Sequence, residues 1–333
     1  LVLHFKTRET GISMGDTEAV ILGATYDGAL IRGSDSIKTE ESRANTPEKP
    51  GRSKAGLFNI GVADCDVAAI SGHIIAISMD EREDSRDHNG DGDQWDRVLG
   101  YYDIKKKELK STGLSIGGSV AIDGDVIVFE LREDRPWGEG TLAYYSISEN
   151  RNSDQSVVHD TGIRTNILRG STNGPTRVVS GGVIVYTVQE KDFTGDGYPD
   201  EELCTYDIKT GGSRCTGIAG SYPSISNGII AYTAPDPEAP YWWWSNKINY
   251  YDLSTGLAQN TGIIGWRPVV DNGIIAFESE SRGVGYYDIA AAKYVETPLH
   301  DADSVSIRNG VITALAREYA WGDLNGDGDA TDY

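Results

Sequence analysis

Short apolar runs punctuated by glycine turns recur along the chain, and no segment sustains the 3.6-residue periodicity of an amphipathic helix. A dipeptide ending in Gly and followed by a β-branched or apolar run occurs seven times: Asp27-Gly28, Ser71-Gly72, Asp123-Gly124, Gly181-Gly182, Asn227-Gly228, Asn272-Gly273 and Asn309-Gly310. The runs include Ile74-Ile75-Ala76-Ile77, Val126-Ile127-Val128-Phe129, Val183-Ile184-Val185-Tyr186, Ile229-Ile230-Ala231-Tyr232 and Ile274-Ile275-Ala276-Phe277. Asn-Gly or Asp-Gly between two such runs predicts a tight β-hairpin, because the turn needs positive φ. A Tyr-rich strand follows, written Tyr101-Tyr102-Asp103, Tyr144-Tyr145-Ser146, Tyr206-Asp207, Tyr250-Tyr251-Asp252 and Tyr286-Tyr287-Asp288. Then comes Thr-Gly-Ile or Thr-Gly-Leu, at 10–12, 112–114, 161–163, 216–218 and 261–263.

Each unit reads as strand a, glycine turn, strand b, long loop, Tyr-rich strand c and strand d ending in Thr-Gly-Ile. Four short strands per period of about 40–50 residues are a propeller blade. The pattern predicts an all-β, seven-bladed β-propeller of four-stranded blades. The blades fall at 13–63, 64–114, 115–163, 164–218, 219–263, 264–300 and 301–333, and residues 1–12 add outer strand to the last blade to close the ring. Blade 1 lacks the Tyr-Tyr-Asp strand and carries a polar insertion at 34–54, expected to be a mobile loop. The last blade lacks a strand c before Tyr333, so either Leu1–Phe5 supplies it or the natural chain continues. The start at Leu1, without Met, reads as a mature or excised fragment.

Three b–c loops carry the strongest chemical pattern. They are Asp87-His88-Asn89-Gly90-Asp91-Gly92-Asp93-Gln94-Trp95-Asp96, Asp192-Phe193-Thr194-Gly195-Asp196-Gly197-Tyr198-Pro199-Asp200-Glu201 and Asp323-Leu324-Asn325-Gly326-Asp327-Gly328-Asp329-Ala330-Thr331-Asp332. Side-chain oxygens at positions 1, 3 and 5, Gly at 6 for a sharp turn, a ligand at 7 and a carboxylate further on suit a hard cation of six to eight ligands. The expectation is calcium, about three ions with a structural role. Its ligands are Asp87, Asn89, Asp91, Asp93 and Asp96, then Asp192, Thr194, Asp196 and the Tyr198 carbonyl with Asp200 or Glu201 closing the shell, then Asp323, Asn325, Asp327, Asp329 and Asp332. The segments resemble the calcium loops of EF-hand and dockerin proteins. The closing acid stands at position 10 instead of 12 and the flanks are strands, so the helical fold of those families does not carry over.

In a propeller the b–c loops and d–a connections share one face. Blade 5 places Pro240-Tyr241-Trp242-Trp243-Trp244-Ser245 there, blade 3 places Trp137, and Trp266 follows a Thr-Gly-Ile on a d–a connection. Exposed Tyr241, Trp242, Trp243, Trp244, Trp137 and Trp266 would suit sugar faces or a protein partner. The alternative is that these rings pack over a neighbouring blade.

Charge narrows the partners. With 30 Lys and Arg against 51 Asp and Glu the formal charge is −21, and no run of Lys or Arg exceeds three residues, which argues against nucleic acid or an anionic membrane as main partner. No apolar stretch approaches the ~18–20 residues of a membrane span. Cys204 and Cys215 flank a Gly211-Gly212 turn and could lie opposite each other. They would form either a cross-strand disulfide, which implies an oxidising compartment, or two separate buried thiols. Cys65 is expected to be a buried free thiol.

Catalytic signatures are few. The five histidines, His4, His73, His88, His159 and His300, show no His-x-x-x-His spacing. Carboxylate pairs are too abundant to single one out. The sequence Gly-Ile-Ile-Ala-Phe-Glu-Ser-Glu from Gly273 to Glu280, followed by Gly285-Tyr286-Tyr287-Asp288-Ile289, resembles the TolB-type or WD40-like propeller repeats of bacterial and archaeal envelope and extracellular proteins. That resemblance implies a periplasmic or surface setting and a binding or scaffolding role, and transfers no catalytic residue. The resulting expectation is an extracellular, cell-surface or periplasmic calcium-stabilised propeller with a glycan or surface-protein ligand. Two competing classes are a polysaccharide lyase or hydrolase on the same scaffold, and a structural module of a surface layer or filament completed by neighbouring chains.

Overall fold

In the computed structural model of the chain, the described residues are 18–25, 30–36, 60, 62, 65–132, 140–152, 157–164, 177–193, 195, 197, 199–235 and 246–316. They are almost all strand. In chain order these are β1 (Glu18–Thr25), β2 (Leu30–Ser36), β3 (Cys65–Ser71), β4 (Ile74–Asp80), β5 (Arg97–Asp103), β6 (Glu108–Asp123), β7 (Val126–Leu131), β8 (Thr141–Ser146), β9 (Val158–Arg164), β10 (Val179–Ser180) and β11 (Val183–Lys191). There follow β12 (Asp200–Asp207), β13 (Gly212–Ala219), β14 (Ser221–Ser226), β15 (Ile229–Pro235), β16 (Asn246–Asp252), β17 (Leu257–Asp271), β18 (Ile274–Ser279), β19 (Gly283–Asp288), β20 (Lys293–His300), β21 (Ala302–Arg308) and β22 (Val311–Ala316). A single-turn helix, α1 (Glu81–Asp84), follows β4.

All pairings are antiparallel, and all but β1 with β22 join sequence neighbours. Two sheets have four strands and two have seven. In the larger sheets one long strand serves twice. β6 pairs with β5 up to Ser115 and with β7 from Ile116, and β17 pairs with β16 up to Ile264 and with β18 from Gly265. The described residues therefore form six four-stranded meanders: I (β3–β6), II (β6–β9), III (β10–β13), IV (β14–β17), V (β17–β20) and VI (β21, β22, β1, β2).

The glycine turns explain each first hairpin. Asn227 and Gly228 have φ of 49° and 79°, Asn272 and Gly273 48° and 81°, and Asn309 and Gly310 49° and 76°. These are the paired positive values that a two-residue turn demands and that Asn and Gly tolerate best. The Tyr-rich segments end β5, β8, β12, β16 and β19. The Thr-Gly segments are bulges in each fourth strand, where the threonine hydroxyl bonds back to the third strand's carbonyl: Thr112 to Leu99 (2.8 Å), Thr161 to Leu142 (2.6 Å), Thr216 to Leu203 (2.9 Å) and Thr261 to Ile248 (2.6 Å). Meander V has the same bulge written Thr297-Pro298-Leu299, with Thr297 bonded to Val284 O at 2.6 Å.

The core lies between the meanders. Ile74, Ala76 and Leu99 of I pack against Val120, Ile127 and Phe129 of II. Val128, Leu142 and Tyr144 of II meet Ile184, Val185 and Leu203 of III and Ile230 and Tyr232 of IV. Ala231 and Ile248 of IV meet Ile275 and Phe277 of V, and Ala276, Val284 and Tyr286 of V meet Val305, Ile307 and Ile312 of VI. Each fully buried Ile or Phe contributes about 1.5–3 kcal/mol, so face-to-face packing dominates the stability of the assembly.

Consecutive first-hairpin turns are stitched together. The residue that closes each first strand accepts the backbone N–H of the next meander's turn: Ser71 from Gly124 (2.9 Å), Asp123 from Gly181 (2.8 Å), Ser180 from Asn227 (3.2 Å), Ser226 from Asn272 (3.4 Å) and Asp271 from Asn309 (2.6 Å). Arg177, just before β10, reaches past β14 to bond Val270 O at 3.3 Å and pair with Asp271.

Two features differ from the repeat count. Asp27-Gly28 was expected to open a blade of its own. In the structure the flanking strands pair onto the chain's far end, Ala24 with Ile312 and Thr25 with Val311, so β1 and β2 complete the sheet that β21 and β22 begin. The pairing depends on chain ends meeting in space, which a linear spacing cannot report. Ser34–Ser36, placed by the sequence in a mobile insertion, lie in β2. Residues 1–12, expected to latch the ring, and the rest of the insertion lie outside the described residues.

Candidate metal centre

The first of the three acidic loops, 87–96, is described in full, and its anchor is a residue the loop pattern does not contain. β4 ends at Asp80, whose carboxylate accepts the N–H groups of Arg82 (3.1 Å) and Glu83 (3.4 Å) and so starts α1. That turn sets Glu81 behind the loop, fully buried. Its carboxylate accepts the N–H groups of His88 (2.5 Å), Asn89 (3.2 Å) and Asp96 (3.3 Å), while its own N–H donates to Asp96 O at 3.0 Å. Glu81 thus holds both ends of the loop. Backbone donors offset part of the cost of burying its charge.

Inside the loop, Asp87 accepts from Gly90 N (2.5 Å) and Gly92 N (3.0 Å), which curls the chain through positive φ at both glycines, 81° and 99°. The Asn89 amide donates to Asp91 and Asp96, both at 2.9 Å, and to Ser115 at 3.3 Å. Carboxylate oxygens of Glu81, Asp93 and Asp96 all lie within 4.8 Å of one another. Oxygens held 2.3–2.6 Å from one calcium ion are at most about 5 Å apart, so the cluster has dimensions a single cation can span. Burial pushes the Asp96 carboxyl above the usual range, while the Asp93 N–H foremost, with Asn89, holds Asp91 below it. Asp91 and Asp93 are exposed and Asp96 half-buried, so the cluster is open on one side.

The middle loop repeats the curl. Asp192 accepts from Gly195 N (2.5 Å) and Gly197 N (2.9 Å), at the same +3 and +5 offsets as Asp87, with glycine φ of 78° and 90°. Asp200 accepts Phe193 N at 2.8 Å, and burial raises the Glu201 carboxyl. Lys191 stands beside this loop, 2.8 Å from buried Glu202 and 5.9 Å from the Phe193 ring centre.

Comparison with known proteins adds likeness of fold alone. The sequence matches no protein-family model and no curated protein. Among solved structures the chain is similar to TolB from Acinetobacter baumannii, at 12% identity and a TM-score of 0.43 over 88% of this chain and 67% of that one. It is also similar to Pyrococcus horikoshii acylaminoacyl peptidase, at 13% identity and a TM-score of 0.45, over 85% of this chain and 44% of the peptidase. A computationally designed protein, Ika8, gives 11% identity and a TM-score of 0.42 over 75% of this chain and 67% of its own. The chain thus spans less than half of the peptidase it matches.

Of the other residues singled out by sequence, Trp266 is half-buried in β17, opposite Glu278. Trp137, Tyr241, Trp242, Trp243 and Trp244 lie outside the described residues, as do Thr194, Asp196, Tyr198 and the whole loop containing Asp323, Asn325, Asp327, Asp329 and Asp332. Cys204 and Cys215 face each other across β12 and β13 and are bonded. Cys65 lies in β3, and its side chain is outside the described set. His88 bonds Asp84 (2.7 Å), and His159 bonds Glu149 (2.7 Å) while stacking on Tyr144; neither joins the acidic cluster. Sequence reasoning missed Glu81 because it precedes the loop by six positions. The available signal was a second acid after Asp80 at the end of a strand that is otherwise apolar except for Ser78.

Proposed function

We propose that this chain is an extracellular or cell-surface β-propeller, stabilised by calcium, that serves as a binding or scaffold module for a glycan or surface-protein ligand on its b–c loop face. The gathering of Glu81, Asp93 and Asp96 carries the reading. Three carboxylates this close repel one another at neutral pH, and a divalent cation converts that repulsion into attraction. Asn89, where its amide meets Asp91 and Asp96, stands where the third-position ligand of such a loop serves its ion. The matching curl at Asp192 supports a second ion, and the like sequence from Asp323 a third.

In this reading the six meanders close into one ring, with the N-terminal strands β1 and β2 completing the last blade, one blade fewer than the turn count predicts. The Cys204–Cys215 bond supports an oxidising compartment. Trp95 in the first acidic loop, 77% accessible, supplies one flat face, and the sequence run Tyr241–Trp244 would add others on the b–c loop side.

Calcium at a hundred times its dissociation constant would add about 2.7 kcal/mol to stability. Chelator is therefore expected to lower the melting temperature, and added calcium to restore it, with the response reduced in an Asp93→Asn/Asp96→Asn double variant. An unchanged melt in excess chelator would sink the metal assignment. Depletion of the protein by insoluble polysaccharides, without release of new reducing ends and lost on Trp243→Ala, is the outcome expected of a glycan-binding module. Release of soluble product would identify an enzyme instead.

A further inference from the structure

In meanders I to IV the bulge in the fourth strand leaves one backbone donor that a side chain caps, and meander V differs. The glycine N–H of Thr-Gly is capped by Ser111 in I (3.2 Å to Gly113), by Asp160 in II (2.8 Å to Gly162) and by Asn260 in IV (2.7 Å to Gly262). Each capping residue directly precedes the threonine. In III, where that position is the bonded Cys215, Glu202 caps Gly217 at 2.9 Å. Meander V has Pro298 in place of the glycine, and proline has no N–H. Glu296, at the capping position, has nothing there to cap.

Its carboxylate serves a cleft instead. Glu296 Oε1 accepts the hydroxyls of Ser279 and Ser281, both at 2.6 Å, and Oε2 has no protein hydrogen bond among the described residues. Two residues before it, Tyr294 lies stacked on Phe277 with ring centres 5.9 Å apart, and is 38% exposed. Glycine at 285 makes the room: a Cβ there would sit 2.7 Å from the Tyr294 ring. The cleft, about 350 Å³, is walled on its other side by Gly262, Ile263 and Ile264 of meander IV.

We propose that this cleft between meanders IV and V is a subsite for a single neutral sugar ring, with Tyr294 as the stacking face and Glu296 and Ser281 as hydrogen-bonding partners for its hydroxyls. The volume falls at the lower end of the ~300–1,000 Å³ of small-ligand sites, which suits one ring or two. A flat aromatic face beside a few polar groups matches a ring with C–H bonds on one side and hydroxyls at its rim. Glu280 and Glu296 line the cleft without a cation, and the chain carries a net charge of −21, so an acidic sugar would be repelled. For its ligand class the proposal rests on the glycan reading above. It requires neither the metal loops nor the tryptophan run.

Saturation-transfer NMR with methyl β-glucoside, methyl β-galactoside and N-acetylglucosamine as probes tests it. The wild-type chain is expected to transfer saturation to at least one probe. Tyr294→Ala and Glu296→Gln should each weaken this about tenfold or more, with chelator leaving it unchanged. Circular dichroism checks that the variants fold. If Tyr294→Ala does not, Ser281→Ala at an exposed position reports on the same cleft and should weaken binding severalfold. No transfer to any of the three probes, or transfer unaltered by Glu296→Gln and Ser281→Ala, overturns the proposal. Polymer binding that depends on Trp243 but not on Tyr294 would overturn it while leaving the wider glycan reading intact.

Discussion

Tyr232 illustrates how a single side chain is set by its surroundings. It is 2% exposed in the core between meanders III and IV, and it fits because Gly220 has no Cβ, which would collide with the ring. Burial pushes its phenol up to about 12. Because the folded value exceeds the unfolded value of about 10, the proton is held more tightly in the native state. The associated stability is fully present below about pH 10 and is lost as pH rises toward 12. Urea titrations at about pH 9 and about pH 11 should show a smaller alkaline loss for Tyr232→Phe than for wild type; equal losses would contradict the assignment. Nothing in Gly-Ile-Ile-Ala-Tyr distinguishes this tyrosine from those at the strand ends, since its burial depends on a glycine that faces it from another part of the chain.

Among elements, the threonine bulge is the recurrent device. Each hydroxyl donates to the third strand and also accepts the N–H two residues on, as Thr112 does from Leu114 at 3.3 Å. Thr112 is 8% exposed, so replacing its hydroxyl leaves the Leu99 carbonyl buried without its donor. Thr112→Val is expected to cost about 1–3 kcal/mol in urea unfolding, and Thr112→Ser much less. A valine variant as stable as wild type would show that the bulge is held by packing alone. Four of the five bulges in the described meanders were legible as Thr-Gly-Ile or Thr-Gly-Leu. The fifth was not, because the requirement is a hydroxyl at a strand irregularity, which Thr297-Pro298-Leu299 meets without glycine. The same substitution frees Glu296 for the cleft, so the copy least like the others holds the candidate sugar site.

On the scale of the whole molecule, the first-hairpin turns are joined by five successive links from Ser71 to Asn309. Asp271 is its most committed member, 3% exposed, accepting from Asn309 N and paired with Arg177 from two meanders away. Removing it would leave a mostly buried guanidinium without its counter-charge. Asp271→Ala is expected to destabilise the chain by about 3–5 kcal/mol, read as a fall in urea midpoint at unchanged slope. A loss below about 1 kcal/mol would mean that water replaces the pair. The sixth turn is preceded by Arg308, which has only donors and cannot accept as Ser71, Asp123, Ser180, Ser226 and Asp271 do. The odd residue stands in the meander that joins the chain's two ends.

The sequence by itself determined the all-β class, the six described first hairpins, the Tyr-rich third strands and the glycine curl of the first two acidic loops. Each of these is local: positive φ at Asn-Gly, alternation over a few residues, and an Asp that caps glycines three and five positions on. Tertiary structure alone decided that β1 and β2 join β22, that Glu81 stands behind the first loop, and that Glu296 faces Ser279 and Ser281 instead of a glycine. Those outcomes depend on which distant segments become neighbours, and that is selected by the packing of whole sheets, to which no short motif is sensitive.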